Sequence, residues 1–294
     1  MSSAVAPSIP GLETVTRARP QGQLLKWVGN KFRQAHLIAG LLPESIDAYY
    51  EPFVGTGAVL ATVSPARGIA GDSLPVLIDF HRLVQTKPEQ LVSHYALSRE
   101  QILERGRPAY EEVKKRFNAE PNPKDLLVIS RTCYGGVMRF TRDGRISTPM
   151  GPHTPMSPEK LAGYMVDWRD RLKGTSFVHR DFRETMADAG EGAVVYCDPP
   201  YLHGQSILYG AQDFRTAQLW TAALEAVERG ARVVVSIDGW RRSGAKKIAL
   251  DDIPEGLFER ELLIERGGCM LRRFQMSGED MQAERVADRL LLSW

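Results

Sequence analysis

At 294 residues the chain is long for one compact domain, so a main domain with a sizeable insertion is expected. A hydrophobic fraction of 43% supports a buried core, while 38 Lys and Arg against 36 Asp and Glu, a net charge of +2, argue against a basic coat and confine any nucleic-acid contact to a local patch. Three cysteines without a Cys-x-x-Cys pair point to neither a zinc site nor a disulfide framework, and no apolar run has the length of a membrane span or the form of a signal peptide, so a cytoplasmic, metal-free chain is expected.

Residues 1–22, rich in Ser, Ala, Pro and Gly, read as a flexible leader. Order begins near Leu24, where Lys26-Trp27-Val28-Gly29-Asn30-Lys31 precedes a helical pattern through Leu37, Ile38, Leu41 and Leu42 that Pro43 ends. Ile46 to Tyr50 reads as a strand that Glu51-Pro52-Phe53-Val54-Gly55-Thr56-Gly57 carries through a glycine turn into a helix. Glycines let a backbone approach a ligand closely, and the helix start offers free N–H groups. Leu60 stands where the third glycine of Gly-x-Gly-x-x-Gly would be, which argues against pyrophosphate recognition. Asp72 follows a second apolar stretch, seventeen residues beyond Gly55, where an acid can accept from both ribose hydroxyls.

Asp79 to Leu97 and Glu100 to Phe117 read as helices, and Leu126 to Ile129 as a buried stretch. From Ser130 to Ile146 arginines alternate with apolar residues around an Asp143-Gly144 turn, a hairpin with basic ends. Arginine bonds guanine bidentately and pairs with phosphates, so this cluster is the candidate DNA contact. Ser157-Pro158 starts a helix whose stripe of Leu161, Met165, Trp168 and Leu172 is core, and Gly174 stops it. Phe177 to Phe182 reads as a strand and its exit. A further buried strand, Ala193 to Cys197, runs into Asp198-Pro199-Pro200-Tyr201.

Two prolines cannot continue a sheet, so the turn they force presents carbonyl oxygens to a ligand. Asp198 adds a carboxylate and Tyr201 a flat ring, a set that suits a planar heterocycle with an exocyclic amino group. Beyond it Tyr209 and Phe214 lie in a segment expected to act as a lid. A helix from Thr216 to Arg229 and a strand from Arg232 to Asp238 follow, then the basic run Arg241, Arg242, Lys246 and Lys247. Leu271 to Phe274 and Val286 to Leu292 read as paired final strands. Alternating strands and helices predict a doubly wound sheet.

A ribose acid, a glycine loop without a phosphate fingerprint and an amine-binding turn together suggest S-adenosylmethionine, a nucleoside carrying an amino acid. In order and type, Lys26 to Lys31, Pro52 to Gly57, Asp72 and Asp198 to Tyr201 resemble the motifs of the Dam-type DNA adenine N6-methyltransferases, over about Leu24 to Trp294. The resemblance implies a Rossmann-like α/β fold with a mostly helical target-recognition insertion at 84–174, between catalytic segments 23–83 and 175–294. It implies cofactor contacts from Trp27, Lys31, Phe53, Gly55, Gly57, Asp72, Asp181, Phe182 and Asp198, with Asp181 and Phe182 against the adenine. Asp198, Pro199 and Tyr201 would act on the target base, and Arg131, Tyr134, Arg139, Arg142 and Arg145 on double-stranded DNA. A monomer is expected, with a restriction nuclease as a possible companion. Gly135 stands where the family usually has Asn, and Phe140-Thr141 replaces a commoner polar pattern, so the family's GATC target does not carry over. An RNA adenine, a cytosine N4 amine, a glutamine amide and a catalytically silent DNA-binding role are the alternatives.

Overall fold

The structure, a computed structural model, describes residues 13–141, 143–200, 214–241, 253–267 and 286–294. Its centre is β1 (Ala48–Glu51) beside β4 (Ala193–Cys197), and every residue of both strands is buried. A strand covered on both faces tolerates no polar alternation, which is why β4 reads as an unbroken apolar run and β1 stays apolar up to its closing Glu51. Around them lie β2 (Gly68–Asp72), β3 (Thr175–His179), β5 (Arg232–Arg241), β6 (Arg260–Gly267) and β7 (Val286–Leu292), in the order β3-β2-β1-β4-β5-β7-β6. The neighbours from β3 to β5 pair in parallel, whereas β7 runs antiparallel to both β5 and β6.

Successive side chains point to opposite faces of a sheet and so feed two cores. Tyr49, Val194, Tyr196 and Val234 pack on the side of α1 (Ala35–Gly40), α2 (Ala58–Val63) and α3 (Pro75–Thr86). Tyr50, Val195, Cys197, Val233 and Val235 pack on the side of α8 (Phe182–Met186) and α9 (Thr216–Glu228). This is the doubly wound sheet expected from the alternating elements.

Between α3 and β3 the chain adds α4 (Pro88–Arg105), α5 (Arg107–Ala119), α6 (Pro123–Thr132), a 3-10 turn at Tyr134–Gly136, a short hairpin and α7 (Pro158–Leu172). The helices expected over 79–97 and 100–117 are divided differently. Lys87 leaves helical geometry at φ −145°, ψ 56° before Pro88, and Gly106 takes φ +63° between α4 and α5. Proline clashes with the turn before it and a left-handed glycine ends a helix, so these residues override a hydrophobic pattern that runs across them. The buried stretch at Leu126 to Ile129 is helical, and the Asn122 side chain caps α6 by accepting from the Asp125 N–H.

The leader is tied down from Arg17 onward. The Arg17 guanidinium donates to the carbonyls of Ala39, Leu42, Pro43 and Glu44 at the end of α1, and the Trp168 indole donates to Gly22 O at 2.7 Å. Besides β5, β7 pairs with β6, a strand not expected from the sequence; Leu271 to Phe274, expected there, lie outside the described residues.

Candidate active site

In a doubly wound sheet ligands bind beyond the carboxyl ends of the strands where the order reverses, here between β1 and β4. A cleft open to solvent lies there and is lined by Trp27, Lys31, Glu51, Phe53, Gly55, Asp72, Tyr196, Asp198 and Pro199 among others. Thus four separate motif segments converge on one cavity. The turn after β1 needs left-handed backbone at Gly55 (φ +48°) and Gly57 (φ +68°), and a Cβ added at Gly55 would meet nothing within 4 Å. Asp72, at the end of β2, holds this loop by accepting from Gly55 N–H at 3.0 Å and from Leu74 N–H at 2.9 Å. Burial pushes its carboxyl above the usual range, and the backbone donors pull it partly back. Each of its oxygens keeps acceptor capacity for a further donor.

At the other wall Asp198 follows β4 and accepts from Lys31 Nζ at 2.5 Å. Lys31 is 3% exposed and lies 4.0 Å from Asp288 Oδ2 on β7, so its ammonium sits between two carboxylates, one just beyond β4 and one on β7. A buried ammonium is tolerated because it is paired and hydrogen-bonded. Glu51, the last residue of β1, is also buried here and accepts from the Tyr49 hydroxyl at 2.6 Å. Burial, with some repulsion from Asp198, raises its carboxyl to about 8.

Trp27 and Phe53 form aromatic walls. Phe53 stacks on Phe182 (centroids 5.1 Å, 25°) and meets the edge of Phe214 (5.8 Å, 85°). Phe182 therefore backs Phe53, and it is not among the cleft residues. Asp181 is not among them either: it caps α8, accepting from Arg183 N–H at 2.9 Å and Arg183 Nε at 2.7 Å. Of the two expected adenine contacts, Phe182 therefore joins the other cofactor residues through Phe53, while Asp181 is engaged at the start of α8. Tyr201 and Tyr209 lie outside the described residues.

The arginine segment forms a minimal hairpin, with Phe140 bridged to Ile146 and Gly144 at φ +78° in its turn. Phe140 and Ile146 face inward. Arg139 and Arg145 are exposed on the outer face, where Arg145 pairs with Asp143 at 2.6 Å; Arg142 is outside the described residues. The Phe140 ring lies 6.3 Å from that of Trp27, which places the hairpin beside the cleft. Arg131 is a correction. It sits in the last turn of α6, 5% exposed, and its Nε donates to Leu24 O at 2.7 Å, so burial denies it a duplex. Tyr134 is exposed beside Gly135, whose φ of +64° suits the glycine that replaces asparagine, the two residues that tolerate this region best.

Sequence reasoning gave no role to Glu51, Tyr196, His81 or Asp288. An acid closing an apolar strand before a glycine turn, as Glu51 does, and one inside a strand, as Asp288 does, are the signals that mark them. No group of three or more His, Cys, Asp or Glu side chains that could hold a metal occurs among the described residues.

The sheet order, the glycine loop beyond β1, the acid ending β2 and the Asp-Pro-Pro turn beyond β4 define the Rossmann-like methyltransferase class. Comparison with known proteins narrows this. The profile of the D12 class N6 adenine-specific DNA methyltransferases matches residues 27–248, and the chain belongs to that family. A DNA adenine methylase of Vibrio cholerae serotype O1 is 30% identical over 189 residues, 62% of this chain and 66% of its own length. One from Haemophilus influenzae is 30% identical over 204 residues, covering 66% and 68%. The DNA N-6-adenine-methyltransferase of Escherichia phage P1 is 27% identical over 259 residues, 81% of this chain and 33% of that protein. The chain thus spans about two thirds of the length of the bacterial relatives. Among solved structures, the rRNA methyltransferase AviRa of Streptomyces viridochromogenes matches at 13% identity over 90% of this chain and 82% of that one, with a TM-score of 0.36.

Proposed function

We propose that the chain is a site-specific DNA adenine N6-methyltransferase that uses S-adenosylmethionine and acts on an adenine swung out of double-stranded DNA. The observation that carries this reading is the placement of Asp198 and Pro199 in the same cleft as the glycine loop and Asp72. The residues fit the cofactor: a half-buried carboxylate for a diol, an open glycine cradle, aromatic walls and no phosphate fingerprint. When bound, S-adenosylmethionine supplies an electrophilic methyl group on a sulfonium. Asp72 then holds ribose hydroxyls, Gly55 and Gly57 admit the cofactor to the backbone, and Phe53 and Trp27 exclude water.

Adenine's amino nitrogen is a weak nucleophile because its lone pair is delocalised into the ring. The Asp198 carboxylate and the Pro199 carbonyl accept hydrogen bonds from that group, hold the nitrogen toward tetrahedral geometry and stabilise the positive charge that grows on it. Asp198 and Pro199 would hold the amine toward the methyl group that S-adenosylmethionine would supply when bound, and the nitrogen would give up one proton to solvent. Lys31 keeps the carboxylate aimed, and the outer arginines of the hairpin at 139–145, within an insertion at 84–174, read the duplex. Extrusion of the base costs a few kcal/mol, and Tyr201 is assigned the stacking partner that offsets it.

The test is to incubate the full chain with labelled S-adenosylmethionine and duplex DNA and to identify the modified nucleoside. N6-methyladenine at a defined motif is expected. N4-methylcytosine, or label entering RNA alone, overturns the assignment. Asp198→Ala should lose activity by on the order of 3 kcal/mol of barrier or more while still binding cofactor. Near-normal turnover by that variant removes Asp198 from the mechanism.

A further inference from the structure

The Gly55 peptide is gripped from both ends. Its N–H donates to Asp72, and its carbonyl lies 2.8 Å from His81 Nε2 on α3. A carbonyl only accepts, so Nε2 carries the proton and Nδ1, buried without a partner among the described residues, is the bare nitrogen. The ring is 0% exposed. It stacks on Phe177 of β3 with centroids 5.0 Å apart at 9°, and Phe80 meets its edge at 5.5 Å. Its Cε1 would lie 3.1 Å from a Cβ placed on Gly57, so the ring also forms the floor beneath the second left-handed glycine.

We propose that His81 is a positioning residue for the cofactor: its Nε2–H sets the direction of the Gly55 carbonyl and its ring edge supports Gly57, which holds the loop in its binding shape. The inference rests on the reading of the cleft as an S-adenosylmethionine site. Imidazole suits the place because it combines a flat apolar body, which fits between Phe177 and the loop, with one donor at the required height. Burial lowers its pKa to about 4, so the ring is neutral at working pH and brings no charge beneath a sulfonium ligand. Phenylalanine would keep the stack and lose the donor. Glutamine would keep a donor near the Nε2 position and lose the stack.

The experiment compares wild type, His81→Phe and His81→Gln as full chains. Cofactor affinity is read by calorimetry, DNA affinity by titration, and melting temperature, KM and kcat alongside. In His81→Phe the cofactor Kd and KM should rise about tenfold, the worth of one lost hydrogen bond and a loosened loop, while DNA affinity holds and kcat at saturating cofactor changes far less. His81→Gln should recover most of the affinity. The inference is overturned if His81→Phe binds cofactor like wild type, or if cofactor affinity, DNA affinity and melting temperature fall together in both variants. Should His81→Phe not fold, the decision passes to imidazole nitrogen resonances of the wild type, where the Nε2–H tautomer is expected and the Nδ1–H tautomer sinks the proposal. A wild-type chain that binds no S-adenosylmethionine overturns the cofactor reading and this inference with it, whereas binding unchanged by His81→Phe overturns this inference alone.

Discussion

Asp198 and Lys31 show how one residue conditions another in this cleft. A carboxylate that must accept from a neutral amine is of use only if it is aimed, and the Lys31 ammonium at 2.5 Å fixes its direction. Lys31→Met should therefore lower kcat by on the order of a hundredfold and lower the melting temperature, because breaking a buried pair costs about 3 to 5 kcal/mol. Single-turnover kinetics check this, and an unchanged rate would make the lysine incidental. Asp72→Ala should weaken S-adenosylmethionine strongly and leave DNA affinity unchanged, a contrast that calorimetry reads directly. Glu51 gives a pH signature. Its carboxyl, ordinarily near 4.5, is raised to about 8 in the fold, so between those values the folded chain holds a proton that the unfolded chain has lost. Stability contributed by the neutral form is complete below 4.5 and falls as pH rises to about 8, after which no further loss follows. Glu51→Gln should flatten this slope, and urea titrations at pH 5 and pH 8 would show a smaller difference in the variant than in wild type. The motif residues at these positions were legible in the sequence because strand exits followed by glycine or proline leave few local alternatives. Glu51, His81 and Asp288 were not, since what gives each its role is burial against elements distant in the chain.

Among the elements, the hairpin at 139–146 carries the heaviest demand, because two exposed arginines have to be held rigidly by very little sheet. Asn118 of α5 supplies the support: its side chain accepts from Ile146 N–H at 2.7 Å and donates to Ile146 O at 3.0 Å, clamping both backbone groups of one residue. Arg139→Ala should either relax one base of the methylated motif, costing about 1 to 3 kcal/mol there, or weaken all sequences alike and lower the salt slope by about one. Sequencing of modified DNA at several salt concentrations separates the two outcomes, and no change in either quantity would place recognition elsewhere in the insertion. The sequence showed this hairpin but placed Arg131 in it wrongly. Arginines spaced among apolar residues fit a strand and the end of a helix equally well, and the turn of α6 buries the one at 131. The helix breaks at Lys87 and Gly106 were missed for a related reason: periodicity reports which face is apolar and is blind to where the backbone turns.

On the scale of the whole molecule, the insertion is not a second body. Tyr95, Tyr110, Phe117 and Trp168 belong to the same buried cluster as Tyr49, Phe177 and Val194 of the sheet. A single cooperative unfolding transition is expected for that reason, and calorimetry showing two would contradict it. The first described residues seal that union, since Gly22 receives the Trp168 indole, Leu24 receives Arg131 and Arg17 closes the end of α1. Their composition looks like spacer, yet each contact uses a backbone carbonyl or a particular side chain at a fixed distance along the chain. Drift in that stretch is therefore constrained by length as well as by residue type, since Leu24 is buried and a Cβ at Gly22 would run into the Tyr164 ring. An insertion or deletion of one residue between Arg17 and Leu24 would shift both ends out of register, and lineages carrying this protein should keep the count there while varying only the exposed letters, such as those at Ala18 and Gln21.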